Sequence, residues 1–140
     1  MHMKKETDYT LRIALLFCAA PQRTPLSLKK ICAETEIGWQ PAARVCKALE
    51  EKNLLDGVRN GHTMYYRADP QLQNACLLDL VRIAEGETDM MAFFSRETQL
   101  CSRFVPLLES ACSAFENELK KVPLRNLAYG IENKKGEKNE

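Results

Sequence analysis

Apolar residues recur at steps of three and four from Tyr9 through Ile13 and Leu16 to Ala20, the period of a helix with one buried face. This predicts a first helix over about 6–20 that Pro21 ends. After the break at Thr24-Pro25, Ser27 is suited to an N-cap, and Leu28, Ile31, Cys32 and Thr35 share one side of a short second helix that Gly38 terminates. Trp39-Gln40-Pro41 restarts the chain, with Pro41 at a first helical position. Val45, Ala48, Leu49 and Leu54 then give a third helix its apolar stripe, and Asn53 supplies a left-handed stop.

The period then changes. Val58 to Tyr66 places an Asn60-Gly61 turn between β-branched and aromatic residues, which predicts a two-stranded hairpin. Asp69-Pro70 closes that unit. Leu77, Leu78, Leu80, Val81, Ile83 and Ala84 form a broadly apolar fourth helix ending near Glu85-Gly86. Further on, Cys101, Val105, Leu108, Cys112, Phe115, Leu119 and Val122 alternate steps of four and three, a heptad seam in which Pro106 sets either the start or a kink. Beyond Ile131 the Lys, Glu, Asn and Gly run reads as a disordered tail.

Two short helices joined by a tight break and followed by a hairpin are the parts of a winged helix-turn-helix. The expected fold is therefore mainly α: a winged helix-turn-helix domain with a small β-hairpin wing, plus a long C-terminal dimerisation helix. Residues 1–70 are expected to form the DNA-binding domain, 71–131 a helical dimerisation and effector region, and 132–140 the tail. The stretch Leu11 to Ala20 is interrupted by Arg12 and too short for a membrane span, so a cytoplasmic protein without membrane association is expected.

Composition changes this picture in one respect. The net charge of +1 conceals a dipole: residues 1–67 hold 11 Lys or Arg against 7 Asp or Glu, and residues 68–140 hold 9 against 12. The basic half is the one to face a polyanion, here double-stranded DNA. On the third helix Gln40, Ala42, Ala43, Arg44 and Lys47 are candidate base readers, since Gln pairs with adenine and Arg with guanine in bidentate fashion. Arg59 at the hairpin tip is a candidate for a narrow minor groove. Lys4, Lys5, Tyr9, Lys29, Lys30, Asn60 and His62 are candidate phosphate contacts, although the lysines read equally as solvated charges.

Three segments carry a family resemblance: Asp8-Tyr9-Thr10-Leu11-Arg12-Ile13-Ala14-Leu15-Leu16, Ser27-Leu28-Lys29-Lys30-Ile31-Cys32-Ala33-Glu34, and Leu54-Leu55-Asp56-Gly57-Val58-Arg59-Asn60-Gly61. Together they resemble the IscR/NsrR family of winged-helix transcriptional regulators over roughly residues 3–127. Within it, Tyr9 and Arg12 match the first-helix signature, Gln40 to Lys47 the recognition helix and Arg59 the wing arginine. The resemblance implies a homodimer whose long helices cross and whose two winged units bind half-sites of an imperfect palindrome. The family's Gly-rich wing is thinner here, where Gly61 is followed by His62-Thr63.

Many members of that family hold an iron–sulfur cluster on three closely spaced cysteines ahead of the long helix. No cysteine lies between Glu85 and Gln99, so neither a cluster nor any other cofactor is expected. With no Cys-x-x-Cys pair and histidines only at positions 2 and 62, no metal site is expected either. The six cysteines, spread singly through apolar sequence, read as reduced thiols. Cys18, Cys32 and Cys46 occupy core-like positions, whereas Cys101 and Cys112 on the seam are either small packing residues or redox thiols. The cluster Met90-Met91-Ala92-Phe93-Phe94 either lines a small-molecule pocket or packs the junction. A small-molecule or oxidant effector is thus open. Without a phosphate loop, paired histidines or a Ser-His-Asp set, an enzyme is not expected. The alternative to a DNA-binding regulator, which the resemblance implies is a repressor, is a winged-helix protein-interaction module without specific DNA binding.

Overall fold

The computed structural model describes residues 4–21, 23–86 and 101–128, the first two of the last stretch as backbone only. The Met90–Phe94 cluster and the 132–140 tail lie outside the described residues. Helix α1 spans Lys5–Ala19 and buries Thr7, Thr10, Ile13, Ala14, Phe17 and Cys18. The expected line through Tyr9, Ile13 and Leu16 is thus one margin of a wider buried face, and Ile13 is the only one of the three that is buried. The threonines widen it, because Thr7 Oγ1 can donate to Glu85 Oε1 at 2.6 Å while its methyl packs inward.

Strand β1 is Leu26–Ser27, and helix α2 is Leu28–Thr35. Ser27 caps the helix as expected: its hydroxyl accepts the Lys30 N–H at 3.1 Å. The stop differs from expectation. Glu36, at φ 59°, takes the left-handed position, whereas Gly38 is extended and serves as the N-cap of helix α3, Trp39–Glu51. Reversing the chain at 36 lets Ile37 enter the core, 4% exposed, before α3 begins. Pro41 is the third helical residue rather than the first, still within the turn whose N–H groups lack helical partners. Asn53 ends α3 at φ 60°, with its N–H on the Glu50 carbonyl and the Leu54 N–H on the Leu49 carbonyl, both 3.0 Å. This is a Schellman closure built on Asn instead of Gly.

Strands β2, Leu55–Asn60, and β3, Thr63–Ala68, form the antiparallel hairpin, and β1 pairs along β3 to give the order β1-β3-β2. The register pairs Asn60 with Thr63, so the two-residue turn is Gly61-His62 rather than Asn60-Gly61. Gly61 takes φ 66° at the first central position, where the twist of a hairpin favours glycine. Gly57 has a packing reason instead: a Cβ there would collide with the Glu50 carboxylate and come within 2.6 Å of Met64 Cε. The absent side chain lets the base of the wing lie directly on α3.

Helix α4, Gln71–Asn74, leads to α5, Leu77–Glu85, and α6, Cys101–Lys120, runs antiparallel to α5. Arg82 pairs with Glu116 at 3.2 Å, and the Leu77 N–H bonds the Val122 carbonyl at 3.0 Å. Twenty residues make α6 about 30 Å long, so its first half extends past the end of α5. The chain then returns: Leu124 N–H bonds the Ala75 carbonyl at 3.0 Å, and Leu124 and Ala128 are buried in the same core as Ile13, Ile31, Leu49 and Leu55. Leu72, Ala75 and Leu80 belong to that core too. A boundary at 70/71 therefore does not separate two cores. Among the described residues, no helix is long and apolar enough to cross a membrane.

Candidate nucleic-acid interface

The inner side of α3 consists of Ala42, Val45, Cys46 and Leu49, none more than 3% exposed. Steps of four, three and four then leave Gln40, Arg44, Lys47 and Glu51 as one outward strip. Gln40, Arg44 and Lys47 are all exposed on that strip. Ala42 does not: it is fully buried on the core stripe and cannot meet a base edge, which corrects its inclusion among the readers. Ala43 is half-buried at the margin, packed against the core. Arg44 Nε is 3.2 Å from Glu6 Oε1, and with both side chains about half exposed this pair is weak and easily exchanged.

The register decides how the wing faces. Leu55, Gly57 and Arg59 share one side of the sheet with their partners Ala68, Tyr66 and Met64. Tyr66 on that side enters the core and Gly57 meets Glu50 of α3, so Arg59 extends, exposed, on the side of the sheet that α3 occupies. Asn60 and Thr63 fall on the opposite side, and His62 sits exposed in the turn. On that outer side Arg23 Nη2 donates to Asp56 Oδ2 at 2.9 Å, with Arg67 Nε 3.9 Å away. Arg12 is held by Asp8 at 2.9 Å. Among the described residues, Lys29, Lys30, Lys47 and Arg59 make no ion pair, and all four are exposed.

The remaining expected phosphate contacts divide. Lys5 is exposed at the start of α1. Lys4 is tied to the end of α5, its backbone N–H on Glu85 Oε1 at 2.8 Å and its Nζ 3.5 Å from the Glu85 carbonyl. Tyr9 is half-buried against the core. One residue that sequence reasoning passed over stands out: Trp39, at the first position of α3, is 59% exposed. Its signal was its absence from the apolar stripe of its own helix.

On α6 the heptad seam splits. Glu116, paired with Arg82, marks the side that meets α5, and Cys112 and Leu119 flank it one turn away in each direction. Val105, Cys112, Phe115, Leu119 and Val122 are half-buried, while Leu108 is 37% exposed and Leu107, outside the seam, 72%. The side chain of Cys101 lies outside the described residues. Burial pushes the Cys18 thiol up to about 11 and Cys46 to about 12, and raises Cys32 as well. These three are protonated packing residues at neutral pH. Among the described residues, no three His, Cys, Asp or Glu side chains converge as a metal site requires. Because the segment before α6 has no cysteine, the chain does not fit the iron–sulfur cluster of its family resemblance.

A helix pair with a braced hairpin beside the second helix defines the winged helix-turn-helix class. No family model matches the chain. The HTH-type transcriptional regulator NsrR of Shouchella clausii is 22% identical over 132 residues, covering 91% of this chain and 88% of that protein. Among solved structures, CymR, the global cysteine regulator of B. subtilis, superposes with a TM-score of 0.73 at 17% identity, covering 92% of this chain and 97% of CymR. IscR of T. potens does so with a TM-score of 0.72 at 16% identity, covering 95% and 90%. The chain thus resembles the IscR/NsrR family in sequence and shares its winged-helix fold.

Proposed function

We propose that this protein is a sequence-specific DNA-binding transcriptional regulator, acting as a homodimeric repressor on a palindromic operator. In this reading α3 enters the major groove with Gln40, Arg44 and Lys47, Arg59 enters the adjoining minor groove, and Lys5, Lys29 and Lys30 set register on phosphates. The observation that carries it is the sheet register, which puts Arg59 on the same side as α3. The exposed leucines of α6 support a second copy as its partner. Residues 1–70 supply the DNA contacts and 71–131 the pairing and effector response, although both draw on one core.

The test is selection of bound duplexes from a random pool, followed by affinity against salt. Recovery of a palindrome, with affinity falling steeply as salt rises, is the expected result. Weak, salt-insensitive binding would favour the protein-interaction module, a reading to which Glu51 on the α3 strip and Glu6, paired with Arg44, lend some support. Running the selection with and without oxidant separates a thiol response through Cys101 and Cys112 from a small-molecule effector.

A further inference from the structure

Trp39 is the large apolar residue that α3 leaves outside its core stripe, and its 59% exposure leaves much of the indole in water. Around the helix it shares a flank with Ala43 and Glu50, at steps of four and seven, and Glu50 meets the wing at Gly57. Trp39 therefore lies on the same flank as Glu50, between the core stripe and the outward strip of Gln40, Arg44 and Lys47, but at the N-terminal end of α3, away from the wing contact. The outward strip beside it carries Glu51, the exposed Lys47 and Arg44, which pairs with Glu6. Among the described residues, the other large exposed apolar side chains belong to other elements: Val58 to the outer face of the wing, Phe104, Leu107 and Leu108 to α6, and Leu127 to the C-terminal return. A single exposed indole does not form the continuous apolar patch that a protein partner uses. In the major groove the apolar feature presented to such a residue is the thymine C5-methyl group.

We infer that Trp39 is a specificity-determining residue of this interface, its indole packing on a thymine methyl of the major groove where α3 enters with its N-terminal end. The inference rests on the reading of α3 as the major-groove helix. It adds an apolar contact to a surface otherwise understood through hydrogen bonds and charge.

Trp39 is the sole tryptophan, so its emission reports on this position alone. Adding the selected duplex to the full chain is expected to shift that emission and shield it from acrylamide. Trp39→Ala is expected to weaken specific binding about tenfold and Trp39→Phe less, since one good base contact has that scale. Replacing the contacted thymine by uracil removes one methyl and is expected to cost wild type about fourfold, while costing Trp39→Ala nothing. Specific binding with Trp39 still open to acrylamide, or equal uracil losses in both proteins, overturns the inference and leaves the regulator reading standing. A wild type that selects no duplex overturns both. If Trp39→Ala fails to fold, the shielding of wild type and the uracil series with Trp39→Phe decide the matter.

Discussion

Helices α3 and α6 are both amphipathic, yet they use their apolar sides differently. In α3 the four inward residues, Ala42, Val45, Cys46 and Leu49, are wholly consumed by the core. The polar strip opposite is then free to work as a surface. In α6 the apolar residues exceed what α5 can cover: Cys112 and Leu119 turn towards it, while Leu107 and Leu108 remain exposed. A helix with its apolar side satisfied inside the chain offers chemistry outward, whereas one with a surplus offers area.

The comparison is broken most severely at Leu49. Leu49→Ala is expected to cost about 2–5 kcal/mol of stability in denaturant titration, because the side chain is fully buried and its truncation leaves a cavity in the core. A loss under about 1 kcal/mol would mean that α3 is not held by its stripe. Leu108→Asp should leave the monomer's fold almost unchanged but prevent pairing, lowering operator affinity about a hundredfold through lost bivalency. Sedimentation decides it: a variant that remains a dimer removes α6 from the interface.

The thiols sharpen the contrast by pH. The folded value of Cys46 is raised from an ordinary 9.0 to about 12, so the folded state retains a proton that the unfolded chain loses. The stabilisation is complete below about 9 and declines as pH rises towards 12. Cys46→Ala should flatten that alkaline decline, measured by denaturation at successive pH values. Arg59→Ala should weaken specific binding by about 1–3 kcal/mol without altering stability, as expected for one lost groove contact. Glu6→Gln should change stability by less than about 0.5 kcal/mol, since the pair is exposed. By freeing Arg44 it should tighten duplex binding slightly in a fluorescence titration; weaker binding would show that Glu6 positions Arg44 instead of competing for it.

Much of this architecture was legible because local rules act on local sequence. Ser27 caps α2 through a hydroxyl three residues from its donor, and Asn53 tolerates the left-handed turn that closes α3. What escaped depends on distant residues. Strand β1 is two residues long, too short to show alternation, and exists because β3 has a free edge there. Leu124 and Ala128 enter the core only because α6 runs back along α5. Ala42 was misassigned because proximity along a helix says nothing about which side a residue faces. The seam of α6 had the correct period, but a period cannot tell a partner in the same chain from one in another.

Gly57 has a consequence for what the molecule can measure. With no side chain there, the Glu50 carboxylate of α3 and the Met64 methyl of β3 both lie close against the β2 backbone, so the wing is packed on the end of α3. On the proposed reading the protein behaves as a caliper with a fixed gap. The offset along DNA between what the helix touches and what Arg59 touches is then set by the fold, and inserting a single base pair between them should defeat recognition even when every contacted base is retained.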